Sequence, residues 1–245
     1  MTTTQIFRIP IMPMGMVNAF LIKSPAGAIL VDTGLPGTEK EIKKAMNRAS
    51  VSIEDIKLII ITHAHIDHAG NVSLLKRMSG APVLGHKADL PYFRQEQKMT
   101  FCPTGWFGRL FLKTGLIQKS YKAFTPDILL NNGDEMNLQE FGYSGTIRHT
   151  PGHTEGSISV ELSDGNALVG DLISSGILLG GTIRTGRAKR PPFEDDPHAV
   201  SHELQKMVKA GIHKFHMGHG GPLGSAEVTR HANYLKTLQA IPCCG

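Results

Sequence analysis

The sequence predicts an α/β chain organised as two β-rich halves, and three observations predict it. Leu58, Ile59, Ile60 and Ile61 form a continuous apolar run, as expected of a strand covered on both faces. GAILVDTG and NALVGDL repeat one pattern, an apolar strand that ends at an Asp, once in each half. Segments of helical periodicity accompany them. Gly37 to Arg48, for example, has Ile42, Ala45 and Met46 on one side and Lys and Glu opposite.

Taken in order, Val17 to Lys23 and Ala28 to Asp32 read as strands joined by the turn-forming Ser24-Pro25-Ala26-Gly27. Ser52 and Asp55 make an S-x-x-D capping pattern ahead of the strand that starts at Lys57. Asn71 to Met78 is expected to be helical and Pro82 to Leu84 a short strand. Asp127 to Leu130, Thr146 to His149, Ser157 to Leu162 and Ala167 to Gly170 follow as strands. Asn131-Asn132-Gly133-Asp134 and Ser163-Asp164-Gly165-Asn166 supply turns between them. A helix over His198 to Ala210, a strand over Lys214 to Met217 and a helix over Ser225 to Gln239 complete the pattern. No linker interrupts it, so residues 1–245 are expected to form a single domain.

Residues from about 86 to 124 break the alternation. This stretch holds the only Trp, several Phe and Tyr, and Gly and Pro breaks. It is too apolar for a solvated linker and too interrupted for one helix. It reads as a helical cap over the site, with Tyr92, Phe93, Trp106, Phe107 and Phe111 as an apolar wall; a homodimer interface and a patch packed on the domain core are the alternatives.

The totals exclude several classes. With 245 residues and 40% hydrophobic content the chain can bury a full core. No apolar run approaches the ~18 residues of a membrane span, and MTTTQIF has no secretory pattern, so a cytoplasmic location is expected. Cys102, Cys243 and Cys244 are an odd set with two adjacent members, and no disulfide framework is expected. A net charge of +5 is too mild for nucleic-acid binding. Arg184, Arg187, Lys189 and Arg190 form a basic loop that reads as a solvated charge run, with an anion-binding edge of the site as the alternative.

The apolar run stops at Thr62, and His63, His65, Asp67 and His68 follow within six residues. In a turn leaving a strand, His63 and His65 can converge on one point, and Asp67 and His68 on a second nearby. Imidazole and carboxylate are ligands that zinc prefers.

The segment THAHIDHAG resembles the HxHxDH signature of the metallo-β-lactamase superfamily. AILVDTGLPG, HTPGHTEGS, ALVGDL and MGHGGP resemble its other signatures in the same order, spanning about residues 17–222. The resemblance implies a four-layer αββα sandwich and a dinuclear hydrolase. His63, His65 and His153 would hold one metal ion, and Asp67, His68 and His219 a second. Asp171 would bridge the two, and Asp32 would support the site through a hydrogen bond rather than as a ligand. His68 and His153 are 85 positions apart, more than in compact members, so 86–124 reads as an insertion. The expected cofactors are two divalent ions. Zinc is the default for an all-N/O set, and Fe or Mn are also compatible.

The expected chemistry is attack by a hydroxide bridging two ions ~3.5–4 Å apart, with Asp67 passing a proton to the leaving group. The expected partner is a small apolar substrate with an ester-type bond, a lactone being preferred. Glyoxalase II-like thioesterases share the ligand set, but their C-terminal glutathione-binding region is missing from the 26 residues after His219. Some lactonases carry a Tyr where this chain has Ser174; Tyr92, Tyr121 or Tyr143 would have to replace it. β-Lactamase and phosphodiesterase activities are further alternatives on the same fold.

Overall fold

The computed structural model describes residues 4–177, 180 and 183–239. One six-stranded sheet contains, side by side in chain order, β1 (Gln5–Pro10), β2 (Asn18–Ser24), β3 (Gly27–Val31), β4 (Ile56–Ile60), β5 (Val83–His86) and β6 (Ile128–Leu130). Its first three strands are antiparallel and the ladders from β3 to β6 are parallel. The second half supplies β7 (Glu135–Asn137), β8 (Gly145–His149), β9 (Ile158–Leu162) and β10 (Asn166–Leu168). A small ladder pairs β11 (Ser174–Ser175) with β12 (Ala188–Lys189). With β13 (Lys214–His216) and β14 (Leu223–Gly224), a second six-stranded sheet runs in the order β14-β13-β10-β9-β8-β7.

Three layers of core explain the four layers of structure. Ile22, Ile29, Leu58 and Ile60 meet Ile147, Val160 and Leu168 between the sheets. On the outer face of the first sheet, Leu30 and Ile59 pack with Ile42 and Met46 of α1 (Glu39–Arg48) and, past the short α2 (Ile66–Ala69), with Val72 and Leu75 of α3 (Val72–Ser79). Successive residues of β4 thus face different apolar layers. Its apolar run from Leu58 onward is what a parallel strand covered on both sides requires.

Between β5 and β6 the chain forms α4 (Leu90–Phe93) and α5 (Trp106–Lys113). The second sheet is backed by α6 (Pro197–Lys209) and α7 (Ser225–Leu235), where Leu204, Met207, Val228 and Leu235 pack on Ala167 and Phe215. The helix-sheet-sheet-helix order expected from the resemblance is the one observed.

Several expectations need correction. Strand β1 was not expected, because QIFRIP is half-exposed and carries Arg8 and Pro10 in place of a clean apolar alternation. Cys102 is disulfide-bonded, whereas no disulfide was expected. The other two cysteines, at 243 and 244, lie outside the described residues. A disulfide leaves no mark on local periodicity. Trp106 does not contribute to an apolar wall around the metal cavity; it is 75% exposed. Phe93 is instead a core residue, fully buried against Phe124. No helix among the described residues is long and apolar enough to cross a membrane.

The two halves are also joined by a buried polar contact. Tyr143 donates its hydroxyl to the carbonyls of Gly27 at 2.6 Å and Ile22 at 3.2 Å, across the turn between β2 and β3. Replacing Tyr143 with Phe keeps the ring and removes the donor. Urea unfolding should then show a loss of roughly 1–3 kcal/mol, the usual cost of leaving a buried polar partner unmet. Metal content should be unchanged.

Candidate metal centre

All seven expected ligands come together at one end of the two sheets. They arrive on loops that leave strands, where backbone is free of the ladder and side chains can converge. His63 and His65 follow β4, and Asp67 and His68 lie on α2. His153 sits in the loop before β9, Asp171 follows β10, and His219 follows β13. Their potential ligand atoms form two groups, His63 with His65, His153 and Asp171, and Asp67 with His68 and His219. Within each group the atoms lie within 4.8 Å of one another.

Asp171 sits between the groups. One oxygen is 3.4 Å from His68 Nε2; the other is 2.9 Å from His219 Nε2 and 3.8 Å from His153 Nε2. In the first group, His153 Nε2 is 3.1 Å from His63 Nε2 and 3.2 Å from His65 Nδ1. A neutral imidazole has one N–H, so three converging ring nitrogens cannot satisfy one another. Asp67 Oδ1, His68 Nε2 and Asp171 Oδ1 are buried without a hydrogen bond. Lone pairs aimed at a common point, with carboxylates to balance charge, fit divalent cations.

Neighbouring residues fix which nitrogen each ring presents. Asp32 Oδ2 accepts from His68 Nδ1 at 2.8 Å, leaving Nε2 to face inward. The Thr62 hydroxyl bonds both Asp32 and His63 Nδ1, which leaves His63 Nε2 free. His219 Nδ1 donates to the Met16 carbonyl. Asp32 thus makes the hydrogen bond expected of it, and through Thr62 it reaches both groups. Gly218 next to His219 has no room for a side chain, since a Cβ there would lie 2.3 Å from Asp171 Oδ1.

The charges divide in the same way as the geometry. Burial pushes His65 and His153 down to about 3, and burial with the neighbouring imidazoles holds His63 well below the ordinary value. Burial opposes charge on His68 and His219 too, but Asp171 and its neighbouring carboxylates outweigh it. His68 is raised well above 6.5 and His219 to about 9. In the metal-free protein the second group is a store of protons that a cation would displace.

Residues 12–239 match the sequence profile of the Metallo-beta-lactamase superfamily. The chain belongs to that superfamily. The probable metallo-hydrolase YflN of Bacillus subtilis is 25% identical over 241 residues, covering 91% of this chain and 89% of that one. An acyl-coenzyme A thioesterase of Homo sapiens is 25% identical over 178 residues, 66% of this chain and 60% of that protein. A metallo-beta-lactamase family protein from Thermus thermophilus superposes with a TM-score of 0.65 at 21% identity, covering 95% of this chain and 78% of that one. Like its superfamily relatives, the chain is a metal-dependent hydrolase.

Other residues near these motifs stay away from the centre. His149 stacks on His86 with ring centroids 4.0 Å apart. In the basic loop, Arg187 pairs with Glu227 and Arg190 with Glu194, and no residue of 184–190 lines the metal cavity. Ser174 gives its hydroxyl to the Lys189 carbonyl.

Two residues that the sequence did not mark hold the superfamily site together. Asn18 donates to the Met217, Gly218 and Gly220 carbonyls, each at 3.2 Å, and so anchors the loop of His219. Asp89 accepts from the Ala64 amide at 2.8 Å, between His63 and His65, and from the Thr154 hydroxyl at 3.4 Å, beside His153. One carboxyl thus ties together both loops that supply the first group of imidazoles. Burial pushes it up to about 7, against the Ala64 and Gly156 amides. An Asp at the foot of an apolar strand, followed by Leu-Pro, gives no sequence signal of this role.

Asp89→Ala should weaken the metal ion held by His63, His65 and His153 by about 10–100-fold, the usual effect of losing a support of this kind. Binding at Asp67, His68 and His219 should change much less. A two-step calorimetric metal titration separates the outcomes. Because the folded His219 titrates at about 9 rather than 6.5, its contribution to stability is complete below pH 6.5 and is lost as pH rises towards 9. Chelator-treated protein should therefore lose Tm over that range more steeply than His219→Gln does, and metal loading should flatten the slope.

Proposed function

We propose that the protein hydrolyses an acyclic ester-type bond, a thioester ahead of a lactone, whose acyl group is apolar. The observation that carries this reading is the cavity over the two ligand groups. It has a volume of about 530 Å³, and His65, Asp67, His153, Asp171 and His219 form its floor. Phe111, Leu116, Ile117 and Phe193 are its walls, three of them from the segment between β5 and β6. A site of this size and lining suits a small apolar ligand. In this reading 86–124 is a cap on a single domain rather than an interface between copies.

Two divalent ions, zinc by default for N and O donors, would supply a Lewis acid and an activated water. The seven residues would hold them, with Asp171 shared. Asp67 has the further task of moving a proton. Its Oδ1 is free of hydrogen bonds, and its other oxygen lies 3.4 Å from His219 Nε2 at the cavity floor. Phe111, Leu116 and Ile117 would keep bulk water from the reacting carbonyl.

The preference for a thioester over a lactone rests on the tyrosines. Tyr121 gives its hydroxyl to the Ala64 carbonyl, and Tyr143 to Gly27 and Ile22. Neither these two nor Tyr92 lines the metal cavity, so no phenol is offered to a lactone carbonyl there. The similarity to a protein named as an acyl-coenzyme A thioesterase points the same way.

Metal-loaded protein assayed on matched octanoyl thioesters, lactones, β-lactams and phosphodiesters should turn over thioesters fastest. A phosphodiester or β-lactam rate exceeding every ester rate would overturn the reading. Asp67→Asn should lower kcat by roughly 10²–10⁴, the range for losing a positioned proton-transfer group. Metal content is measured on the same sample, so that a lost ion is not mistaken for a lost proton carrier.

A further inference from the structure

A second cavity, of about 620 Å³, lies against the metal cavity. The two share His65, Ile66, Ile117, Lys119 and Ser120 as a common wall. Beyond that wall the chemistry changes. The metal cavity is walled mostly by aromatic and aliphatic side chains, whereas the second adds Gln95, Gln97, Lys98 and Gln118 to the shared Lys119. No Asp or Glu among the described residues lines it. Lys98 and Lys119 form no ion pair among the described residues, although Arg94 close by is paired with Glu96. The ring of Phe101, which also lines the cavity, packs on His65 with centroids 5.1 Å apart. The polar cavity therefore reaches the metal centre through one of its candidate ligands.

We infer that this second cavity is a subsite for a polar, anion-bearing arm of the substrate. A scissile carbonyl placed at His65 has an apolar chamber on one side and an amide- and ammonium-lined chamber on the other. Each is large enough for a small-molecule group. The substrate class is then an amphipathic conjugate, an apolar acyl group joined through the ester-type bond to an anionic polar group. Two uncompensated ammonium groups favour an anion, and neutral amides accept or donate whatever hydrogen bonds the arm presents. The inference rests on the ester-hydrolase reading above and adds the second arm to it.

The test uses a pair of thioethers that cannot be hydrolysed. S-octyl-3-mercaptopropanesulfonate carries an anion that ligates metals poorly, and S-octyl-thioglycerol carries only hydroxyls. Calorimetric titration of metal-loaded protein should show the sulfonate binding about tenfold more tightly, as expected for two partly exposed ion pairs. The preference should shrink as salt is raised. Lys98→Ala/Lys119→Ala should bind the two equally. If the double variant does not fold, Lys98→Gln and Lys119→Gln should each lose part of the preference. Equal binding by the unaltered protein, no binding of either ether, or a preference that survives loss of both lysines would overturn the subsite. Ester hydrolysis without a sulfonate preference removes the subsite and leaves the hydrolase reading. A preference without hydrolysis of any ester does the reverse.

Discussion

The carboxylate of Asp32 is the contact on which the rest of the centre depends. It is 1% exposed, at the end of β3, with a backbone φ of +62° that side chains other than Gly rarely adopt. It accepts from the Thr62 amide at 2.8 Å, from the Thr62 hydroxyl and from His68 Nδ1. These bonds set the tautomer of His68 directly and of His63 through Thr62. A ligand imidazole is useful only if its free nitrogen faces the metal, and that is decided by what the other nitrogen touches. The unusual backbone torsion at Asp32 is the local cost of aiming one carboxylate at both Thr62 and His68.

Around that contact, polar side chains join loops that the sheets only bring near each other. Asn71 bonds the Thr33 and Leu35 carbonyls and the Gly37 amide, linking the loop after β3 to the helix after the histidines. Asn18 links the β1–β2 turn to the loop of His219, and Asp89 links the loops of His63 and His153. Each is buried, and each offers several acceptors or donors to backbone that has left a sheet ladder. A buried amide or carbonyl outside regular structure needs a partner, and these side chains supply it. The effect is a rigid mounting for seven ligands drawn from both sheets.

The segment between β5 and β6 divides its work by face. Phe111 and Ile117 turn towards the metal cavity, and Phe93 turns into the core with Phe124. Trp106 and Leu110 face outward, at 75% and 56% exposure. The polar residues Gln95, Gln97 and Lys98, with Gln118, Lys119 and Ser120, line the neighbouring cavity. The same segment therefore lines both cavities, while the candidate ligands themselves come from loops of the sandwich.

The sequence by itself determined what depends on near neighbours. A strand covered on both faces must be apolar at every position, so β4 was legible in Leu58 to Ile61. The close spacing of His63, His65, Asp67 and His68 placed four candidate ligands on one turn, and the strand-then-Asp pattern marked Asp32 and Asp171. His153 and His219 were legible only because their short motifs resemble those of a known family. Tertiary structure decided everything that joins distant residues. It assigned the ligands to two groups with Asp171 between them, gave Asp89 and Asn18 their partners, and paired Cys102. It also turned Trp106 outward and left Phe111 over the site. Periodicity records which face of an element is buried, not what lies across from it. Hydrogen bonds spanning 25 residues from Ala64 to Asp89, or 200 from Asn18 to Gly218, exist only once the sheets have stacked.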